Sequence, residues 1–423
     1  MQRRALLKAA GLLGLTSLAG CATGGGAAMR KAQVVVIGGG FAGSTAAKYI
    51  RLWAPEVQVT LVEREPAFVS CPLSNLVLGG SRDLDSLTTG YEALSRRHGV
   101  RRIQDSVVAI DAGRRSVQLA RGDTLRYDRL IVAPGTDFIY DELPGLRSEA
   151  ARQQVLHAWR AGAETLGLRR QLEAMPDGGV FVMHMPKAPY RCPPGPYERA
   201  CQVAWYFKHH KPRAKLILLD ANDDIVSKKG LFTAAWNTLT PGIVDYRPGS
   251  ELLDVDADSR TAKLVFGDER ADVLNVIPPQ RASQVARDAG LITANDRWCG
   301  VDFLTYESLA APNVHVLGDA ILAAPQMPKS GHMANQHAKV CADAVINLLA
   351  EQPINPEPII SNTCYSFVTD IEAVHVASVH RYDPAQRTMV VVDGTMGVSP
   401  ALNDREGHYA RAWARNIWAD MLL

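Results

Sequence analysis

The sequence predicts an α/β fold with two nucleotide-binding βαβ domains and a smaller C-terminal α+β domain, and three observations predict it. A β-branched run, Val34 to Ile37, leads into a Gly-rich turn, a helix and a second strand that ends at Glu63. A second α/β stretch runs from about Val155 to Pro279, with strands near 180–183 and 215–219. Beyond Pro353 the pattern is strand-like and closes on an amphipathic helix, His408 to Leu422. The 423 residues are 47% hydrophobic and 21% charged, enough apolar mass for two or three domains. A formal net charge of +2 gives no electrostatic case for nucleic acid. No apolar run in the body reaches the ~18–20 residues of a membrane helix. The predicted divisions are 1–30 (export signal and tether), 31–145 and 286–350 (two parts of the first nucleotide domain), 146–285 (the second) and 351–423 (the C-terminal domain).

Gly38-x-Gly40-x-x-Gly43 stands where a dinucleotide site needs it, after a strand and before a helix. Gly38 permits the tight turn, Gly40 lets backbone approach a pyrophosphate, and Gly43 lets helix and strand pack closely. The helix N-terminus offers N–H groups to the phosphates. Glu63, 20 residues past Gly43, is placed to bind a ribose diol. Two further segments point to FAD rather than NAD. Leu130 to Thr136, with its Gly135 turn, resembles the strand-turn that flavoproteins of the disulfide-reductase class place beside the flavin. The run Val314 to Ala320 resembles their second FAD motif, with Asp319 on the ribitol chain. The next helix is predicted near Ser330, its N-terminus toward the flavin, where its dipole favours an anionic reduced ring. Lys329 either adds to that charge or is a solvated surface lysine. The second domain has no matching Gly-turn: its first strand runs into His184-Met185-Pro186-Lys187-Ala188-Pro189-Tyr190, so no NAD site is predicted there. The two domains are therefore Rossmann-like, one with a nucleotide and one without.

Seven cysteines are too few for a disulfide scaffold. Cys192 lies in the Pro-rich segment Arg191-Cys192-Pro193-Pro194-Gly195-Pro196-Tyr197-Glu198, a stiff loop leading to a helix whose N-terminus is expected to lower the thiol pKa. Cys71 lies in Cys71-Pro72-Leu73-Ser74-Asn75, and Cys364 in Asn362-Thr363-Cys364-Tyr365. Cys201, Cys299 and Cys341 match no motif and read as small buried hydrophobes. With Asn275 to Ala282 and Met327-Pro328-Lys329-Ser330-Gly331, these segments make the chain, from about Gln33 to the last helix, resemble the flavoprotein subunit of flavocytochrome c sulfide dehydrogenase.

The resemblance implies FAD bound covalently through Cys71 at the flavin 8α carbon. It implies a redox-active disulfide between Cys192 and Cys364 beside the flavin, with Glu198 as proton acceptor. It also implies a small c-type cytochrome as partner. Pro72 departs from the aromatic residue expected after that cysteine. The chain has no Cys-x-x-Cys-His, so it cannot attach haem covalently. The implied activity is oxidation of hydrosulfide with electrons passed to a cytochrome c. The alternatives are a sulfide:quinone oxidoreductase whose terminal helix lies on a bilayer, and a non-catalytic electron-transfer or assembly subunit. No metal site is predicted.

At the N-terminus, Arg3-Arg4 followed by Leu6, Leu7 and Lys8 resembles a twin-arginine signal, a route that exports proteins already folded with cofactor. Leu18-Ala19-Gly20-Cys21 resembles a lipoprotein processing box. A lipid on Cys21 and a plain cleavage site both remain open. With the lipid, residues 22–28 form a Gly-rich tether. The expected location is the periplasm, with membrane contact only through Cys21.

Overall fold

The computed structural model describes residues 31–423; Arg3, Arg4 and Cys21 lie outside the described residues. The first βαβ unit is strand β1 (Gln33–Ile37), helix α1 (Phe41–Trp53) and strand β2 (Gln58–Val62). Helix α2 (Ser74–Gly79) and strands β3 (Arg101–Ile103) and β4 (Arg129–Val132) follow. The second unit comprises β5 (Val180–Met185), α3 (Gly195–His210), β6 (Lys215–Asp220), α4 (Lys229–Thr238), β7 (Val244–Arg247) and β8 (Val273–Val276). The chain then returns to the first domain through β9 (Val314–Val316) and α5 (Gly331–Leu349). The last domain holds β10 (Ile359–Phe367), β11 (Ala373–Asp383), β12 (Thr388–Val391), β13 (Gly397–Val398) and α6 (Asp404–Leu422).

The first sheet has the order β9-β4-β1-β2-β3 and the second β7-β6-β5-β8, all pairs parallel. Parallel strands covered on both faces must be apolar throughout, which is why Val34, Val35 and Val36 are all buried. In each half a three-stranded antiparallel insertion, 107–126 and 252–270, precedes the returning strand. The two halves thus repeat one topology that no repeat in the sequence reveals. Thr136–Phe138 pairs antiparallel with Gln280–Ala282 where the chain crosses between the domains.

The C-terminal sheet is antiparallel, β10-β11-β12, with β13 on the β11 edge. Helix α6 begins at Asp404, before the His408 expected from periodicity. The Asn403 side chain accepts from the Glu406 N–H at 2.9 Å, and Asp404 and Glu406 put negative charge in the first turn. Its apolar face, including Ala414, Ile417, Trp418 and Met421, is buried. Trp418 donates to Ser70 Oγ at 3.1 Å, and Asp420 accepts from Asn335 at 2.7 Å and pairs with Lys339 at 3.0 Å. The face a bilayer would need is therefore docked on the first domain. Among the described residues no helix is long and apolar enough to cross a membrane.

Candidate functional site

A cavity of about 860 Å³ runs along the C-terminal ends of the first sheet and reaches the second domain and β10. Every candidate flavin-binding or catalytic residue lines it except Gly43, which lies behind the turn. Gly38 adopts φ +94°, and a Cβ there would sit 2.3 Å from the Ala133 carbonyl oxygen. A Cβ on Gly43 would sit 1.8 Å from the Gly38 carbonyl oxygen, so no side chain fits. Gly40 is the opposite case: nothing lies within 4 Å of its Cβ position, which leaves open space at the N-terminus of α1. Glu63 accepts from the Gly39 N–H at 2.5 Å and the Glu65 N–H at 2.8 Å.

At the other end, Asp319 is half-buried, its Oδ1 is buried and unpartnered, and desolvation raises its pKa. An orphaned buried acceptor is costly unless a ligand hydroxyl meets it. The bare glycine face, the free helix N-terminus and the orphaned Asp319 oxygen together fit the pyrophosphate and ribitol of FAD. Gly135, at φ +70°, makes the turn after β4. Ser330 caps α5 by accepting from the Met333 N–H at 3.0 Å. Lys329 is not a solvated lysine. Its ammonium lies 3.7 Å from the Trp298 ring centroid and donates to the Asp319 carbonyl at 2.9 Å and to the Ile321 carbonyl. Burial lowers its pKa to about 8. Its hydrogen bonds hold the Asp319 turn.

Three cysteines face the same cavity. Cys71 Sγ receives a hydrogen bond from Arg191 at 3.6 Å. Cys192 has φ +56°, its N–H donates to the Lys329 carbonyl at 2.8 Å, and its carbonyl accepts from Gly195 at 2.9 Å. Gly195 is required here, because a Cβ would lie 2.9 Å from Cys192 Sγ and 2.6 Å from the Trp159 ring. Cys364, on β10, accepts from Asn362 Nδ2 at 3.4 Å, and Asn362 Oδ1 accepts from Ser330 Oγ at 2.7 Å. Both cysteines are thus tied to the two residues that begin α5. All six described cysteines are free thiols.

The expected lowering of the Cys192 pKa is reversed. The sulfur opens into the cavity, but the surrounding protein is deep, and burial pushes the thiol up. Cys364 and Glu198 add to the rise, while Lys228 and Arg191 oppose it. Burial also raises Cys364, opposed first by Lys228 and then by Asn362 and Ser330. A short helix start does not outweigh the loss of water around a thiolate.

Glu198 is buried on the first turn of α3, where Oε1 accepts from the Phe367 N–H at 2.9 Å and Oε2 from Asn75 at 3.0 Å. Burial raises its pKa against those bonds and the charges of Lys228 and Arg199, which suits a proton acceptor. Asn75 is held in turn by Arg199, whose guanidinium also donates to the His157 carbonyl at 2.7 Å, the Ala158 carbonyl at 2.6 Å and Asn275 Oδ1 at 3.0 Å. Sequence reasoning missed Arg199 and Lys228. Arg199 directly follows Glu198 and could have been weighed with it. Lys228, in Ser227-Lys228-Lys229, carries no signal that separates it from surface lysines.

The second nucleotide position is closed by its own side chains. Asp220, at the end of β6, accepts from Tyr197 at 2.7 Å, Tyr246 at 3.0 Å and the Asn222 side chain at 2.7 Å. The loop after β5 is held by Ala188 N–H on Asn222 at 2.9 Å and Arg191 N–H on Gln280 at 3.1 Å. It carries Cys192 into the flavin-side cavity.

Three family models match. Residues 32–174 match pyridine nucleotide-disulphide oxidoreductase, 165–278 match sulfide dehydrogenase (flavocytochrome c) flavoprotein chain, central, and 356–422 match flavocytochrome c sulphide dehydrogenase, flavin-binding. The sulfide dehydrogenase (flavocytochrome c) flavoprotein chain of Chlorobaculum thiosulfatiphilum is 58% identical over 45 residues, 11% of this chain and 94% of that sequence. The chain belongs to the flavocytochrome c sulfide dehydrogenase flavoprotein family. This flavocytochrome-type flavoprotein is also 24% identical over 305 residues to mitochondrial sulfide:quinone oxidoreductase of Mus musculus, a match spanning 68% of the chain and 65% of that relative's length. The solved sulfide:quinone oxidoreductase of Aquifex aeolicus superposes with a TM-score of 0.74 at 17% identity, covering 92% of this flavoprotein and 91% of that chain, and so shares its fold.

Proposed function

We propose that the protein is a sulfide dehydrogenase that oxidises hydrosulfide at Cys192 and Cys364 and delivers the electrons to a c-type cytochrome. The observation that carries this reading is that Cys192, Cys364 and Glu198 share one cavity with the Gly38 turn, Asp319 and Cys71. Gly40, Glu63 and Asp319 would hold FAD, with Cys71 as its covalent attachment point. Bound FAD would supply a two-electron acceptor that returns electrons singly.

The chain's residues do the rest. In the oxidised pair, hydrosulfide attacks one sulfur, the Sγ–Sγ bond breaks, a persulfide forms on that cysteine, and the other leaves as thiolate. Glu198, raised by burial, takes the persulfide proton. Arg199 and Asn75 orient that carboxylate. The buried apolar face of α6 favours a soluble acceptor over a membrane quinone. The resemblance of Arg3-Arg4-Ala5-Leu6-Leu7-Lys8 to a twin-arginine signal supports a periplasmic site of action.

Steady-state assay with sulfide and either cytochrome c or a quinone analogue tests the reading. Reduction of cytochrome c at a rate well above that of the quinone is expected, and the reverse preference would overturn the acceptor. Acid precipitation should leave yellow colour on the protein, and Cys71→Ala should release it.

A further inference from the structure

Lys228 is a buried cation that the chemistry above does not use. It precedes α4 in the left-handed region, at φ +55°. Its ammonium donates to the Cys364 carbonyl at 3.0 Å and to Ser366 Oγ at 2.8 Å, and lies 5.6 Å from the Phe232 ring centroid. Among the described residues no carboxylate lies within 4.0 Å of it. Arg199, another buried cation of this chamber, is matched by four oxygens. Lys228 has two neutral acceptors for three N–H groups. An unpaired buried charge is unfavourable unless an anion arrives to meet it.

The groups whose negative charge reaches this ammonium are Cys364 first, then Glu198, Cys192 and Glu406. In the oxidised pair neither sulfur is a thiolate, so the first-ranked compensation, from Cys364, is missing. It appears when the cysteine pair is opened, because hydrosulfide brings in one negative charge that must stay in the chamber. Lys228 does not line the cavity. It stands behind Cys364, so it acts on that sulfur rather than on substrate.

We propose that Lys228 is a positioning residue for the sulfide reaction: it anchors β10 through the Cys364 carbonyl and supplies the counter-charge that holds the Cys364 sulfur as thiolate. This rests on the disulfide reading of Cys192 and Cys364. In that step hydrosulfide attacks Cys192 Sγ, the Sγ–Sγ bond breaks, its electron pair stays on Cys364, and the persulfide proton goes to Glu198. No net charge is created; the charge that entered with hydrosulfide settles beside Lys228. Burial alone would favour reprotonation of Cys364, which stalls electron transfer from that sulfur.

The test uses FAD-loaded, reduced protein carrying Cys192→Ser, so that Cys364 titrates without its partner. Its alkylation by iodoacetamide is followed against pH by peptide mass spectrometry. Lys228→Met should move the midpoint up by about one pH unit or more, and Lys228→Arg should keep it near the parent value. With Cys192 restored, Lys228→Met should slow sulfide-driven flavin reduction at least about tenfold while dithionite reduction is unchanged. An unchanged midpoint in folded, flavin-loaded Lys228→Met overturns the proposal. If Lys228→Met does not fold, the parent decides: a Cys364 midpoint below ~9.5 supports the counter-charge and one above it overturns it, since an ordinary thiol titrates near ~8.5 and burial alone adds ~3 units or more. Should the disulfide reading itself be wrong, sulfide would leave the flavin oxidised in the unmutated protein, while the alkylation midpoints would still report on Lys228.

Discussion

The two nucleotide folds of this chain share strand order and a similarly placed insertion, yet they treat the same corner of the sheet in opposite ways. In the first, β1 runs into a glycine turn that leaves open space at Gly40 and an acid, Glu63, at the end of β2 beside the cavity. In the second, β5 runs into 184–190, and the acid in the matching position, Asp220 at the end of β6, is wrapped by Tyr197, Tyr246 and Asn222. In the first fold the acid is held by the backbone N–H groups of Gly39 and Glu65 at the cavity wall; in the second it is covered by side chains. The second site is thus closed by covering the acid with side chains and by giving its loop, the one carrying Cys192, to another cavity.

The largest expected effect is in the open half. Gly43→Val drives a side chain into the Gly38 carbonyl; flavin-free, poorly soluble protein is expected, measured as flavin absorbance per chain. In the closed half no such dependence on nucleotide is expected. NADH added without oxygen should leave the flavin oxidised, and rapid bleaching would break the comparison.

Next comes Asp220→Ala, which strands two tyrosine hydroxyls and Asn222 in the interior. A loss of ~3 kcal/mol in denaturant unfolding is expected, with bound flavin unchanged and no gain in NADH binding. Glu63→Gln, tested in Cys71→Ala protein so that FAD can dissociate, should weaken FAD about tenfold, ~1.4 kcal/mol. An unaltered dissociation constant would separate Glu63 from the ribose.

The smallest effect sharpens the picture of strain in the open half. The Lys329 pKa falls on burial from 10.5 to about 8. The unfolded chain therefore binds more protons between those values, so stability rises with pH across about 8 to 10.5. Below pH 8 the cost of burying its charge is full. Lys329→Met should flatten that rise in pH-dependent unfolding; a curve parallel to the parent's would mean that Lys329 is not strained.

Much of the open half was legible in the sequence because its parts are local. Gly38, Gly40, Gly43 and Glu63 lie within one βαβ unit, where spacing along the chain dictates spacing in space. The lack of a glycine turn in the second half was legible for the same reason, since 184–190 holds no glycine. Cys71, Cys192 and Cys364 were legible as motifs. Their convergence on one cavity came only from the family resemblance, because it depends on β10, α3 and the start of α5 meeting across the fold.

By itself, then, the sequence determined the α/β class, the strand–turn–helix that holds a dinucleotide and the amphipathic end of the chain, all set by short-range periodicity and steric need. Tertiary structure alone decided the rest. It put the apolar face of α6 on the first domain, because Ser70, Asn335 and Lys339 gather there from distant segments. It turned the Cys192 pKa upward, because desolvation sums over neighbours that no local window contains. It also made Lys228 an interior cation behind Cys364: the difference between a surface lysine and a buried one lies in what the other domains cover.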